Sequence, residues 1–592
     1  MATMTQLQEK QMKMAEELLF SGEPKVSFAK RLYFGTFETD SVLPYPGASE
    51  ADVKQADELI RELDVWADEH FDPDWIDRNA QIPPHVFDGL GKLGIMGLTV
   101  PKKYGGKGMK QYTFCRAMEN IAARCGGTAV MVNAHHSIGL RSMLMFGTEE
   151  HRQRFLAPLA KGEQIAAFAL TEPNAGSDAA GVETRAEYDP VKNVYRLNGK
   201  KQWITNGGIA SVLTVMAQTK VDTPTGPEDK ITAFLVTPDM PGFKVTEKAL
   251  EKVGIRGTMT AKLEFHDLEV PPENIVGPKG GGLKLALTML DFGRLTFGAS
   301  CTGIAKRCLK DTIEHAKKRI QFERPLASFS LVKQKIANMA ALAYAMDATT
   351  YLTAGMIDRG DEDLMLETAI LKVFNSDSLW TIVNDTIQIM GGRAFFCDLP
   401  YERMMRDARL NMIGEGSNEV LRAFIGVVGM RDVAKQLEKV ANAAKNPITG
   451  LGTLAGFGKR MLGQFFSAPT IPIRSHLIAS EGRALAAAVR RLGLAIPRLL
   501  AKYREGILEE QLVLNRIATS VMAIYTTTAV LGKLDADLVR VGGNAAALGN
   551  DLAVAKLYCQ EAFATIDRNL GSLHANNDAD IIKVADLLTG IA

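Results

Sequence analysis

Residues 405–422 read MRDARLNMIGEGSNEVLR, and Glu415 stands in that stretch between two glycines, Gly414 and Gly416, with no cation directly beside it. Glycine gives up more conformational freedom on folding than any other residue. Glycines on both sides of a carboxylate therefore mark a turn, or a place where something approaches the main chain closely. One reading is a solvated turn ahead of a helix, with Ser417 as the N-cap of 418–422. The other is a catalytic base held where a flat ligand can pass beside it. The rest of the chain decides between them.

With 592 residues there is enough chain for three or four domains and a large core. A net charge of +1 provides no field that would steer the protein toward nucleic acid, so no nucleic-acid partner is expected. The six cysteines (Cys115, Cys125, Cys301, Cys308, Cys397, Cys559) form no C-x-x-C pair, which fits a reducing compartment and implies no zinc site. The first 20 residues mix Glu and Lys with apolar residues and lack the apolar core and cleavage site of a signal peptide; their early acids make a poor transit peptide. The apolar run 517–532 is shorter than a bilayer span of about 20 residues, so no membrane crossing is expected.

Apolar residues recur at helical spacing from Ser49 to Lys161, as in Ala56, Leu59, Ile60 and Leu63. From Gln164 to Gly277 the texture changes to short runs such as IAAFAL, VLTVMAQT and AKLEFHDLEV separated by turn residues, which reads as a β-barrel or sandwich. Helical patterns return at Gly282 and continue to the end, after a break at KNPITGLGTLAGFGKR. Two glycine-rich stretches are decoys. GLGKLG (89–94) follows Pro83-Pro84 rather than a strand, so it reads as a helix end. GPKGGGLK (277–284) lacks the terminal G-K-[ST] of a phosphate loop and reads as the entry to a long helix. The expected class is α+β, mainly α. The expected blocks are an N-terminal extension 1–48, a helical domain 49–163, a β domain 164–278, a four-helix domain 279–431, a linker 432–476 and an additional helical domain 477–592.

FALTEPNAGSD (168–178), KQWITNGG (201–208), QIMGGRAF (388–395) and MRDARLNMIGEGSNEVLR (405–422) together resemble, in order and spacing, the flavin and active-site segments of the acyl-CoA dehydrogenases. The resemblance covers residues 50–430. The front segment SFAKRLYFGTFETDSVLPYP and the helical tail are similar to the very-long-chain subgroup with its extra C-terminal domain. The resemblance implies FAD at the junction of the three domains, an acyl-CoA substrate, an electron-transfer flavoprotein as acceptor, and fatty acid β-oxidation as the setting.

The same resemblance assigns roles. Glu415 matches the base that removes the α-proton, while the flavin takes a hydride from the β-carbon. Gly416 and Gly414 then let the thioester approach the main chain, and Gly414 stands where the family usually has an aromatic residue. Phe168, Leu170 and Thr171 match flavin contacts, Thr171 as a hydrogen-bond partner of the ring. Trp203 and Thr205 match the cover of its outer face, the alternative for Trp203 being a core aromatic. Ser177 matches a contact to the FAD pyrophosphate and to substrate, and Ser417 with Asn418 completes the pyrophosphate side, where a helix N-terminus favours negative charge. Arg319, Gln321 and Phe322, with Gln388, Gly391 and Gly392, match residues that reach the cofactor of a neighbouring subunit, which implies at least a homodimer. Asp291 and Arg294 match a pair on the CoA side, or are an ordinary i,i+3 ion pair.

The acyl tail of the family runs along the stretch matching GGTAVMVNAHHSIG (126–139). Ala129 and Asn133 stand where very-long-chain members tend to keep glycine, which implies a shorter tail pocket. His135 and His136 read as structural residues, with no metal partners nearby. From Lys439 to Ser480 there is no acidic residue, while basic residues accompany Leu451, Leu454, Phe457, Met461, Leu462, Phe465 and Phe466. That pattern suits an interfacial membrane helix over 446–475, or a segment packed on the enzyme core. The expected location is the bacterial cytoplasm, peripheral on the inner membrane surface. Two other functions share these features: an acyl-CoA oxidase of the same fold, and a membrane-associated assembly scaffold that retains the fold.

Overall fold

A computed structural model describes residues 27–224, 226–445 and 447–590. The helical front block contains α1 (Glu50–His70), α2 (Gln111–Arg124) and α3 (Gly126–Asn133). Ser49 starts α1 with a reciprocal cap, its hydroxyl accepting from Asp52 N–H while the Asp52 carboxylate accepts from Ser49 N–H. A π-helical turn, Ala134–Leu140, joins α3 to the helix Arg141–Phe146.

The strands that follow are β1 (Ala166–Ala169), β2 (Arg185–Asp189), β3 (Val194–Ile204), β4 (Val212–Thr223), β5 (Gly226–Val236), β6 (Phe243–Glu247), β7 (Ala261–Val270) and β8 (Ile275–Val276). They form one sheet in the order β6-β7-β3-β2-β4-β5-β8, with β1 parallel to β4. Both faces of its inner strands are buried, which is why β4 and β5 carry near-continuous apolar runs rather than strict alternation.

The next helices are α4 (Gly282–Lys318), α5 (Ser330–Arg359), α6 (Met365–Met390), α7 (Tyr401–Asn411) and α8 (Asn418–Lys445). Between α4 and α5 a small hairpin pairs β9 (Ile320–Gln321) with β10 (Arg324–Pro325). Helix α8 runs on beyond residue 431, where composition suggested a boundary. The glycine-rich stretch that read as a break is itself helical, forming α9 (Pro447–Phe466). Isolated glycines lower helix propensity by about 1 kcal/mol each without forbidding a helix. The last helices are α10 (Ala479–Tyr503), α11 (Gln511–Arg540), α12 (Asp551–Gly571) and α13 (Asp578–Thr589).

Helices α10 to α12 share a core with α5, α6 and α8, and Phe28, Ala29, Leu32, Tyr33, Val42 and Leu43 are buried in that core. Tyr33 donates to Ile425 O at 2.5 Å, and its ring lies where a Cβ on Gly429 would be 2.0 Å away, so only glycine admits it. Ala29 N–H donates to the Glu367 carboxylate at 2.8 Å. Residues 1–26 of the expected extension lie outside the described residues. Helix α11 is long and apolar enough to cross a membrane, but 89% of its apolar window is buried in this bundle. The front block shares a second core with α4, α5, α6 and α7, so α5 and α6 belong to both cores and connect them.

Candidate functional site

Glu415 lies between α7 and α8 with φ 58°, a left-handed conformation that is uncommon for a non-glycine residue. Gly416 follows at φ 95°. Together they turn the Glu415 side chain toward α4, where a Cβ on Gly293 would be 2.9 Å from Oε2 and 3.1 Å from Oε1. Glycine at 293 therefore makes room for the carboxylate. The residue as a whole is half-buried, but its Oε2 is sealed from solvent and has no hydrogen-bond partner. Burial pushes its pKa up to about 7, against the opposing pull of Arg294 and Lys372.

Two buried cations hold the turn without touching the carboxylate. Arg294 Nε donates to Glu415 O at 3.3 Å, and its Nη1 is 3.3 Å from Asp291 Oδ1. Asp291 accepts from Thr368 Oγ1 at 2.9 Å, and burial raises its pKa to about 6. The expected pair is therefore an i,i+3 ion pair that also braces Glu415. Lys372, on α6, donates to Gly416 O at 2.7 Å and to Asn418 Oδ1 at 2.8 Å. Burial lowers its pKa to about 8. Asn418 is itself buried, donating to Asp377 Oδ1 at 2.7 Å, so its side chain is engaged inside the protein. Ser417 O accepts from Leu421 N–H at 2.9 Å, as the residue ahead of α8 should.

A second group lies on the sheet. Thr171 O accepts from Gln202 N–H at 3.0 Å, which sets Thr171 beside Trp203 and Thr205 at the end of β3. Trp203 has φ 59° and is 61% exposed, so it is no core aromatic in this chain. A buried ion pair underlies them: Lys201 Nζ is 2.6 Å from Glu172 Oε1 and donates to Leu170 O at 3.0 Å, while Glu172 also accepts from Thr184 N–H at 3.1 Å. Phe168 is buried on β1, Leu170 and Thr205 are half-buried, and Ser177 is exposed, with nothing within 4 Å of a Cβ placed on Gly176.

The third group is open. Arg319, Gln321 and Phe322 occupy the β9–β10 hairpin, whose tip residues Phe322 and Glu323 have φ 51° and 64°, and Phe322 is 87% exposed. Gln388, Gly391 and Gly392 close α6 with their surfaces exposed, and a Cβ on either glycine would meet nothing within 4 Å. Sequence reasoning missed Lys372, Gly293 and the Glu172–Lys201 pair. Lys372 had a signal, being the one cation between Met365 and Met390. Glu172 and Lys201 stood inside the quoted segments.

An exposed indole beside Thr171 and open glycine loops leave room for a flat ring with a pyrophosphate tail.

Models of the acyl-CoA dehydrogenase N-terminal, middle and C-terminal domains match residues 54–163, 167–268 and 280–429, and that of the ACAD9/ACADV C-terminal domain matches 476–589. The mitochondrial very long-chain specific acyl-CoA dehydrogenase of Bos taurus is 35% identical over 93% of this chain and 84% of its own. FadE10 of Mycobacterium tuberculosis is 32% identical over 100% and 93%. A Bacillus anthracis acyl-CoA dehydrogenase solved in complex with FAD superposes with a TM-score of 0.77 at 28% identity, covering 94% of this chain and 95% of that one. Butyryl-CoA dehydrogenase of Megasphaera elsdenii superposes at 0.60 with 34% identity over 63% and 97%. The chain belongs to the acyl-CoA dehydrogenases, FAD-dependent enzymes, in their form with an added C-terminal helical domain.

Proposed function

We propose that this chain dehydrogenates long-chain fatty acyl-CoA to the trans-2-enoyl-CoA, with Glu415 as the base. The observation that carries this reading is the sealed, unpartnered Oε2 with its pKa near neutrality. A carboxylate with one oxygen that neither water nor a cation satisfies is a stronger base than a solvated one, and its raised pKa narrows the gap to the weakly acidic α-proton. The α C–H bond breaks, its electron pair moves toward the thioester carbonyl, and the proton goes to the Glu415 carboxylate. The Glu415 N–H makes no hydrogen bond among the described residues, so it is free to donate to the carbonyl oxygen as charge develops there. FAD, when bound, supplies the acceptor for the hydride leaving the β-carbon. Thr171 and Trp203 would hold its ring and Ser177 its pyrophosphate side. Arg294 and Lys372 hold the carbonyls of Glu415 and Gly416, which keeps the base aligned.

We read the chain as a homodimer, a reading that helix length supports. From Gly293 to the end of α4 is about 38 Å, and from Lys372 to the end of α6 about 27 Å, at 1.5 Å per residue. Arg319 and Gly391 thus lie far from their own Glu415 and are available to a second subunit's cofactor. Electrons then pass to an electron-transfer flavoprotein. Helix α9 presents Leu462, Phe465 and Phe466 at 61%, 56% and 78% exposure beside Lys459, and we assign it to the cytoplasmic face of a bacterial membrane. Anaerobic flavin bleaching across a series of acyl-CoA lengths tests the reading. Bleaching is expected with long chains, and a flavin left oxidised by every acyl-CoA would refute it.

A further inference from the structure

His136 lies in the π-helical turn Ala134–Leu140 and Arg141 directly follows it, and both side chains meet at Thr99 Oγ1. Arg141 is 7% exposed and His136 fully buried. Arg141 Nη2 donates to Thr99 Oγ1 at 2.6 Å and, with the Gln111 amide oxygen turned toward it, to that oxygen at 2.8 Å. Its guanidinium stacks on Phe292, 4.2 Å from the ring centre. No carboxylate among the described residues forms an ion pair with it, and its Nε–H has no acceptor.

The protonation of His136 follows from its neighbours. Thr99 N–H donates to Nε2 at 3.3 Å, and Thr99 Oγ1, already accepting from Arg141, is 3.3 Å from the same nitrogen and has its own proton to give. The ring accepts at Nε2. Burial, with Arg141 beside it, keeps the ring neutral, so its single proton sits on Nδ1. That N–H also has no partner. Two buried donors beside Thr99 are therefore unused, and natural cores rarely leave such groups unsatisfied.

Their position gives them a use. Ser137 Oγ is 2.8 Å from Thr296 Oγ1, tying the turn to α4, and Phe292 beneath Arg141 precedes Gly293, which abuts the Glu415 carboxylate. We propose that Arg141 Nε–H and His136 Nδ1–H recognise a hydrogen-bond-accepting oxygen on the acyl chain beyond the β-carbon, so that the preferred substrates are oxygenated acyl-CoAs. The proposal rests on the dehydrogenase reading above and on the course along residues 126–139 that the family resemblance implies for the acyl tail.

The test uses the FAD-loaded full chain and anaerobic flavin bleaching. It pairs each saturated acyl-CoA with analogues of equal length carrying a hydroxyl, oxo or carboxylate group at successive positions. At one position the oxygenated chain should be favoured in kcat/KM by about tenfold or more, because a site built to hydrogen-bond an oxygen rejects the analogue that lacks it. In Arg141→Met and in His136→Phe, which keeps the stack on Phe114, that ratio should collapse toward one. If the variants do not fold, the wild-type ratio decides alone. Bleaching with saturated chains equal or preferred at every position overturns the proposal and leaves the donors to a buried water only. No bleaching by any acyl-CoA refutes the dehydrogenase reading itself, and this proposal with it.

Discussion

Replacing Glu415 by Gln separates the cost of burying a charge from every other property of the site. The carboxyl titrates near 4.5 in the unfolded chain and at about 7 in the folded one. The folded state therefore binds the proton more tightly, and stability present at low pH is lost as pH rises through the window from 4.5 to about 7, then levels off. Between pH 5 and pH 8 the wild type should lose roughly 2–3 kcal/mol relative to Glu415→Gln, taking 1.36 kcal/mol per pKa unit over the part of the shift in that range. Asp291, Glu367 and Asp407 also have raised pKa values, but both proteins carry them, so the difference cancels them. The unpaired amide of Gln costs the same at both pH values and cancels too. Equilibrium urea unfolding of the two FAD-loaded proteins at pH 5, 6, 7 and 8 reads the difference. A pH-independent difference, or one that favours wild type more as pH rises, would mean the carboxylate is not sealed from water and the argument for its basicity fails.

Lys201→Met leaves Glu172 buried without its counter-ion and should cost about 3–5 kcal/mol, with weaker flavin retention because the pair underlies Thr171 and Trp203; denaturant midpoint and FAD release measure it. Arg319→Ala should lower FAD retention and dimer stability together, since a ligand bound only by the assembled form stabilises that form, and sedimentation with and without added FAD is the check. Leu462→Ser with Phe465→Ser and Phe466→Ser should abolish co-sedimentation with anionic vesicles while short acyl-CoAs are still turned over; undiminished binding would return α9 to a role against the core.

What the sequence reveals and what it hides have different physical origins. The turn around Glu415, the strands that place Thr171 and Trp203, and the helix starting after Ser417 depend on neighbouring residues, so local pattern is enough to find them. Lys372 lies 44 positions from the Gly416 carbonyl it meets and Gly293 lies about 120 positions from Glu415; the sequence shows Lys372 as the lone cation of its helix but not its partner, and no local pattern marks Gly293. Composition marked a break over 445–460 because four glycines lower helix propensity there, yet Pro447–Phe466 is helical and carries the exposed Phe465 and Phe466. The segment 28–43 read as an extension, but Tyr33 fills a space made by Gly429, nearly 400 residues later in sequence. His136 read as structural, and its contacts to Phe114 and Thr99 are of that kind; its unpartnered Nδ1 appears only once the π-helical turn is built.

The central claim is that Glu415 takes the α-proton. Stopped-flow flavin bleaching by a long-chain acyl-CoA, comparing wild type with Glu415→Gln under anaerobic conditions, tests it directly. The variant should keep its flavin and bind substrate, yet reduce the flavin on the order of 10²–10⁴ more slowly, the usual loss on removing a general base, while its reduced flavin is reoxidised by the electron acceptor at the wild-type rate. A variant that bleaches within about twofold of wild type, a change of only about 0.4 kcal/mol in barrier, would contradict the claim and leave the glycine-flanked carboxylate as no more than a turn ahead of α8.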